Sequence, residues 1–370
     1  MKQELTLRQA EQDIIHLCQS GLDSIALRRA AAQRLRKAIP FDACCWGTID
    51  PGTLLITSEV SEGIPDFAFA LAAENEYLMD DVNKFSVLAR SSTRFGILSQ
   101  STQDALKQSH RFHSVMSTIG ARHELRVAFV CDRECWGGVT LFRTADSPDF
   151  TSAEGRFLGR LSAPLAEGFR LALLMDRSVV AANDPGPGLI VLGESGAVEA
   201  MNPAAHAWLA DLVEPGFRVP EGWLPAPIHE VAMRARAIAR TISNGDTPEH
   251  LQAHLRVRTH SGQWLMLHGS HMIGSHVGAG QTAVILELAR SSEIARLLML
   301  AYDLTARERE LLQLVLQGLA SSEMALTLHI SVHTVQDHLK SIFDKVGVHS
   351  RGELIARVLG DHYFPHVGPR

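Results

Sequence analysis

Apolar residues return every three or four positions near the start of the chain, at Ile14, Leu17, Cys18, Leu22 and Ile25, the spacing of one long amphipathic helix. The period then drops to two. Residues 43–49 and 54–60 read as strands, separated by the turn sequence Asp50-Pro51-Gly52. After a helical middle, Leu125, Val127, Phe129 and Cys131 alternate with a second face, and residues 135–143 return as the other arm of a hairpin. In "DFTSAEGRFLGRL", Thr151 and Glu154 stand at capping-box spacing and open a helix that runs towards residue 180. Along it Leu158, Leu161, Leu165, Ala172, Met175 and Val179 lie near a heptad register that Gly168 breaks. Such a stripe suits either a dimeric linker helix or a helix packed on its own domain.

The composition shifts at "ANDPGPG", residues 182–188, which marks a boundary. Beyond it "GLIVLGESGAVEAMNPAAHAWL" predicts strand, turn at Glu194-Ser195-Gly196, strand, and a helix capped by Asn202 with Pro203 at its first position. Residues 251–288 give three further strands, with turns at Ser261-Gly262 and around residues 274–280. A helix over residues 292–302 leads into the C-terminal piece, and no internal repeat is visible.

From Leu304 onward the caps delimit four helices. Thr305 to Glu308 is a capping box for a helix ending at Gly318, and Ser321 or Ser322 caps a short one through Leu328. Ser331 caps the third, which Gly347 closes, and Ser350 to Glu353 opens the fourth. The second and third are joined by only His329-Ile330-Ser331, the tight corner of a helix-turn-helix whose second member can enter a major groove. At 100° per residue, Val335, Leu339, Ile342, Phe343 and Val346 of the third helix converge on one side, so that side is core. The other side carries His333, Asp337, Lys340 and Asp344, flanked by Gln336 and Thr334. Gln can pair with adenine, Asp can accept from cytosine N4, and Lys can reach guanine or phosphate.

The stretch "LTARERELLQLVLQGLASSEMALTLHISVHTVQDHLKSIFDKVGVHSR" resembles the C-terminal DNA-binding domain of the LuxR/GerE family of bacterial transcription regulators. Matches run through Leu304, Thr305, Glu308, Gly318, Glu323, Ile330, Ser331, Thr334, Val335, Leu339, Ile342, Gly347 and Val348. The resemblance implies an all-α four-helix domain with residues 332–346 in the major groove and the last helix available for dimer contacts. It places DNA contacts at His333, Thr334, Gln336, Asp337, Lys340, Ser341, Lys345 and Arg351. One departure matters: a position that is frequently Lys in the family is Gln336 here, followed by Asp337, so base preference does not carry over.

Upstream, the strands around Phe41-Asp42 and residues 126–141, with "PDFTSAE" before the helix, resemble a GAF domain. "GLIVLGESGAVEAMNPAA" and "RTHSGQWLMLHGS" resemble a PAS domain. The expected architecture is therefore two α+β sensor domains with antiparallel sheets followed by the helix-turn-helix: GAF-like over 1–180, PAS-like over 184–290, a linker helix over 291–303, and the reader over 304–370. Sensor pockets are apolar with a few convergent polar groups. Ligand-wall candidates are Cys44, Trp46, Tyr77 and Trp136 in the first domain and Trp208, Trp223, Trp264 and His268 in the second, although large aromatics beside strands are more often core.

Composition trims the alternatives. The 370 residues are 46% hydrophobic, enough for more than one core, and the formal net charge of −6 excludes a basic coat protein. No apolar run approaches membrane-spanning length and the N-terminus has no signal-peptide core, so a soluble, cytoplasmic protein is expected. Five cysteines, all before residue 136, show no zinc spacing and read as buried thiols; Cys131 and Cys135 could face each other across the hairpin. No nucleotide loop, H-E-x-x-H, G-x-S-x-G or G-x-G-x-x-G occurs, so no enzyme is expected. Metal and cofactor are likewise not expected: His229 could in principle face haem, but no C-x-x-C-H accompanies it. Expected partners are double-stranded DNA, a second copy of the chain, a small-molecule effector and RNA polymerase. The competing reading is a dimeric interaction scaffold whose GAF- and PAS-like domains dimerise or hold a partner, with weak or no specific DNA binding. From Leu304 onward seven Lys and Arg stand against seven Asp and Glu, a formal charge of zero.

Overall fold

A computed structural model describes residues 2–175, 184–213, 222–245, 252–272 and 280–360. The amphipathic stretch at the start is two helices rather than one, α1 (Lys2–Gln19) and α2 (Ser24–Ala38). Gly21 takes a left-handed φ of 71°, and Asp23 then caps α2 by accepting from the Ala26 N–H at 2.8 Å. Apolar spacing alone continues through such a corner, because both helices bury the same kind of stripe.

The first sheet is antiparallel, with β1 (Ala43–Ile49), β2 (Ile56–Glu62), β3 (Phe95–Ile97), β4 (Ala121–Cys131) and β5 (Glu134–Thr144) in the order β2-β1-β5-β4-β3. The helical middle is α3 (Phe67–Leu78), α4 (Phe85–Leu88) and α5 (Leu98–Ser101), with the three-residue β3 among them. In the β4–β5 hairpin Cys135 pairs with Val130 and Cys131 with Glu134; both cysteines are free thiols. The long helix α6 (Ser152–Met175) starts where the capping pair predicts, with Thr151 N–H donating to Glu154 at 2.7 Å. Leu158, Leu161, Leu165 and Ala172 are all buried, and α6 packs on β4 and α1. The heptad-like stripe is thus used on its own domain; Val179 lies outside the described residues.

The second sheet comprises β6 (Gly188–Leu192), β7 (Val198–Met201), β8 (His254–Arg258), β9 (Trp264–His271) and β10 (Thr282–Leu288), ordered β7-β6-β10-β9-β8. Counted within each sheet the two orders are identical, although no repeat is visible in the sequence. Two helices cover it, α7 (Pro203–Asp211), capped by Asn202, and α8 (Ala226–Ser243). The turn expected around residues 274–280 lies mostly outside the described residues.

Both sheets belong to one compact unit, and the loop joining β1 to β2 explains why. Leu55, fully buried, inserts among Ile190, Trp208, Val231 and Leu255 of the second half. Asp50 receives a bidentate pair of bonds from Arg256, 2.6 and 2.8 Å, with both side chains buried. Glu230 of α8 accepts from the Ile56 N–H at 3.0 Å and from the Tyr77 hydroxyl. The ranges read as two sensor domains therefore share a continuous interior.

A second compact unit holds α9 (Ser291–Ala301), α10 (Ala306–Leu316), α11 (Ser321–Leu328), α12 (Val332–Val346) and α13 (Arg351–Ile355), which continues as a wider turn to Gly360. The helix read as a linker, α9, places Ala295 and Met299 in the same core as Leu311, Val315, Val335 and Ile342. Ala320, not Ser321 or Ser322, precedes α11, and the Glu323 carboxylate accepts its N–H at 2.6 Å.

The junction gives the first prediction. Burial drives the Glu230 carboxyl up from 4.5 to about 8, against the hydrogen bonds from Tyr77 and Ile56 and with a further push from Glu59. The folded state then holds a proton that the unfolded chain releases above about pH 4.5, so this group's contribution is full below that value and is lost as pH rises towards 8. Between pH 5 and pH 8 the denaturation midpoint of Glu230→Gln should fall less than that of the wild type, measured by denaturant titration. An equal fall would remove Glu230 from the account.

Candidate functional site

The corner between α11 and α12 is built from three local devices. His329 adopts a left-handed φ of 52°, turning the chain out of α11, and Ile330 N–H returns to Ala325 O at 3.0 Å. The Ser331 hydroxyl then accepts from the Thr334 N–H at 3.0 Å and starts α12. Gly347, at φ 70°, ends it by donating to Phe343 O.

Between these caps the helix has two distinct sides. Val335, Leu339, Ile342 and Val346 are buried in the unit's core, and His333, Gln336, Asp337, Lys340 and Asp344 are exposed. His333 and Asp337 lie 3.9 Å apart at 84% and 68% exposure, so their pairing adds little and both stay available to a partner. Among the described residues Lys340 makes no ion pair.

The remaining predicted contacts bond within their own unit. Thr334 is half-buried, its hydroxyl 2.8 Å from that of Ser331. Ser341 donates to Glu308 at 2.6 Å, and the Lys345 ammonium reaches the same carboxylate at 2.7 Å and Asp303 O at 3.0 Å. The Arg351 guanidinium donates to Leu319 O at 2.6 Å and Val315 O at 3.3 Å, at the end of α10. These three tie α12 and α13 to α10, so they hold the exposed side in place. Glu308 is the hub: burial pushes its carboxyl up, but bonds from Lys345, Ser341 and Thr305 outweigh that and bring it to about 2.

The ligand-wall candidates are scattered. Cys44 and Trp46 are buried on the side of the first sheet that faces α6, where Trp46 and Phe169 flank Phe129 at ring-centroid distances of 5.6 and 5.5 Å. Trp136 is buried at a break in the β4–β5 register. Tyr77 belongs to the junction with Glu230. Trp208 donates to Gly186 O at 2.9 Å, Trp264 is buried, Trp223 is half-buried before α8, and His268 is 42% exposed, 3.5 Å from Glu287. These eight residues do not converge. A cavity of about 60 Å³ does exist, on the opposite side of the first sheet, lined by Cys45, Glu59, Phe69, Phe85, Arg111 and Arg126 among others. The signal was the second face of β4, where Glu124 and Arg126 fall two apart; alternation reveals a shared face but not its burial.

Among the described residues no group of three His, Cys, Asp or Glu is placed to hold a metal, and no helix is long and apolar enough to cross a membrane. His229 on α8 is half-buried, and burial takes its imidazole down to about 4.

Known proteins share the helix-turn-helix. The profile of "Bacterial regulatory proteins, luxR family" matches residues 303–358. The spore germination protein GerE of Bacillus subtilis is 38% identical over 56 residues, which is 76% of that protein and 15% of this chain. The chain belongs to the luxR family. Two other relatives, the probable transcriptional regulatory protein SgaR of Hyphomicrobium methylovorum and the monoamine regulon transcriptional regulator of Klebsiella aerogenes, are each 44% identical over 54 residues, 15% of this chain. The chain spans only 26% and 24% of their lengths. Escherichia coli SdiA aligns over 96% of this luxR-family chain and 98% of its own, at 10% identity and a TM-score of 0.34, a likeness too slight to characterise the first unit.

Two substitutions separate core from surface on α12. Ile342→Ala should cost the second unit about 2–5 kcal/mol, whereas Asp337→Ala should stay within about 0.5 kcal/mol, both by denaturant titration. Glu308→Ala should cost about 1–3 kcal/mol, because Lys345 and Ser341 lose their acceptor. The depressed Glu308 carboxyl contributes fully above pH 4.5, and that contribution should vanish as pH falls towards 2. A Glu308→Ala midpoint parallel to wild type across that range would refute the hub.

Proposed function

We propose that this luxR-family chain is a one-component transcription regulator that reads duplex DNA with the exposed side of α12. Its first unit senses a small molecule through a GAF-like half and a PAS-like half. One observation carries the reading: α12 buries Val335, Leu339 and Ile342 while His333, Gln336, Asp337 and Lys340 stay exposed within a helix-turn-helix. Gln336 and Asp337 supply the donors and acceptors for base edges, and Lys340 supplies the charge for guanine or phosphate. A single helix contacts few base pairs, so the active form is a homodimer on a two-fold site, with RNA polymerase as a further partner. The role is regulatory and not enzymatic; no catalytic motif accompanies the reader. An effector acts by favouring one arrangement of the two readers over another.

A second reading, a dimeric interaction scaffold, is favoured by the same helix's charge. Asp337 and Asp344 are exposed beside Lys340, and Lys345 and Arg351 donate to groups within their own unit.

A mobility-shift titration against the DNA upstream of the protein's own gene, at two salt concentrations, decides between them. Selective binding that weakens steeply with salt supports the regulator, and absent or salt-insensitive binding supports the scaffold. Lys340→Ala should weaken binding to all sequences and reduce the salt slope by about 1. Asp337→Ala should alter the preferred bases more than the affinity; an unchanged preferred site would remove Asp337 from base readout.

A further inference from the structure

We propose that the cavity on the first sheet is a binding site for a small amphipathic amine, its cationic group seated on Glu59 and its apolar body along Ile64, Phe69 and Phe85. The inference deepens the sensor reading above and rests on it. The sheet itself defines the cavity's position. A side chain at Gly137 would strike Phe169 of α6, whereas one at Gly138 would strike Phe85, so the two residues face opposite sides. Cys45, Gly47, Gly138, Thr140 and Arg126 lie on the cavity side, in register across β1, β5 and β4. Glu59, from β2, closes one edge. The volume of about 60 Å³ holds several water-sized groups, the scale of a small molecule and not of a peptide.

Charge decides the ligand class. Four acidic side chains line the cavity, Glu59, Glu76, Glu124 and Glu230, against two guanidiniums, Arg111 and Arg126; Glu230 keeps its proton up to about pH 8, so Glu59 is the acid left to meet a cation. Arg111 is committed to Glu124 through two bonds of 2.8 Å and also donates to Asn75 and Val82. Arg126 pairs with Glu76 at 3.0 Å and lies 4.0 Å over the Phe85 ring. Neither Glu59 nor Glu230 has an ion-pair partner among the described residues, and Glu59 Oε2 is buried without any hydrogen-bond partner. A buried carboxylate oxygen left unpaired is costly, and a cation relieves it. Burial lifts the Glu59 carboxyl to about 7, although the Cys45 thiol and the Arg28 guanidinium both pull it down. Arg126 Nε is also buried without a partner, so a hydrogen-bond acceptor on the ligand's far end would be accommodated; its charge is already matched by Glu76. Glu230 belongs to α8, so an occupant of this cavity touches the second half of the unit directly.

Calorimetric titration of the full chain, without DNA, with hexylammonium, hexanol and hexanoate tests the assignment. Hexylammonium should saturate one site per chain and bind at least tenfold tighter than either of the others. Glu59→Gln should abolish that preference, and its own melting curve reports whether it folds. The ranking of probes on the wild type needs no variant. Equal affinity for hexanol, preference for hexanoate (which would assign the site to Arg126) or no saturable binding of hexylammonium would each overturn the proposal. A failed titration leaves the DNA reading standing; that reading fails instead if hexylammonium binds and no sequence is retarded in the mobility shift.

Discussion

The first unit depends on how it buries charge at one loop. Asp50 could not sit in the interior without Arg256, and the Ile56 N–H, at the start of an edge strand, would be an orphan donor without Glu230. Both partners come from the other half of the unit. Each half therefore satisfies a polar group that the other buries, and Leu55 fills the apolar space between them. Neither sheet could be withdrawn from this contact without exposing a hydrophobic side chain and stranding a carboxylate.

The first sheet divides its two faces by chemistry. Towards α6 it presents Leu125, Val127 and Phe129, closely packed with Trp46 and Phe169. Towards α3 and α4 it presents Glu124, Arg126 and Thr140, all buried, and there the packing leaves a cavity. Polar side chains held by directed hydrogen bonds cannot close space as aliphatic ones do, because that geometry fixes where they stand. An interior polar layer and a void are thus two consequences of the same residue choice.

The second unit is braced around α12. Its apolar side is anchored by the core, and its end is fixed to α10 through Lys345, Ser341 and Glu308. Glu308, one of the residues that carry the family resemblance, works on this bracing together with Lys345. What faces outward is short, polar and of mixed sign, which suits recognition by pattern more than attraction by charge.

Local patterns in the sequence determined most of the elements. The caps at Thr151, Asn202, Thr305, Ser331 and Ser350, the alternation in β4 and the 3.6-residue period of α12 depend only on near neighbours, and all appear in the structure. The exposed side of the helix-turn-helix was legible for the same reason: once one side of a helix is apolar, the other is fixed by its period. Tertiary structure alone decided the rest. The use of the α6 stripe on its own sheet, the junction at Asp50 and Glu230 and the absorption of α9 into the second unit's core all depend on residues far apart in the chain. The cavity is the clearest case. Strand alternation places Glu124 and Arg126 on one face, but whether that face meets water or protein is set by α3 and α4, and a strand's own sequence carries no record of what is packed against it.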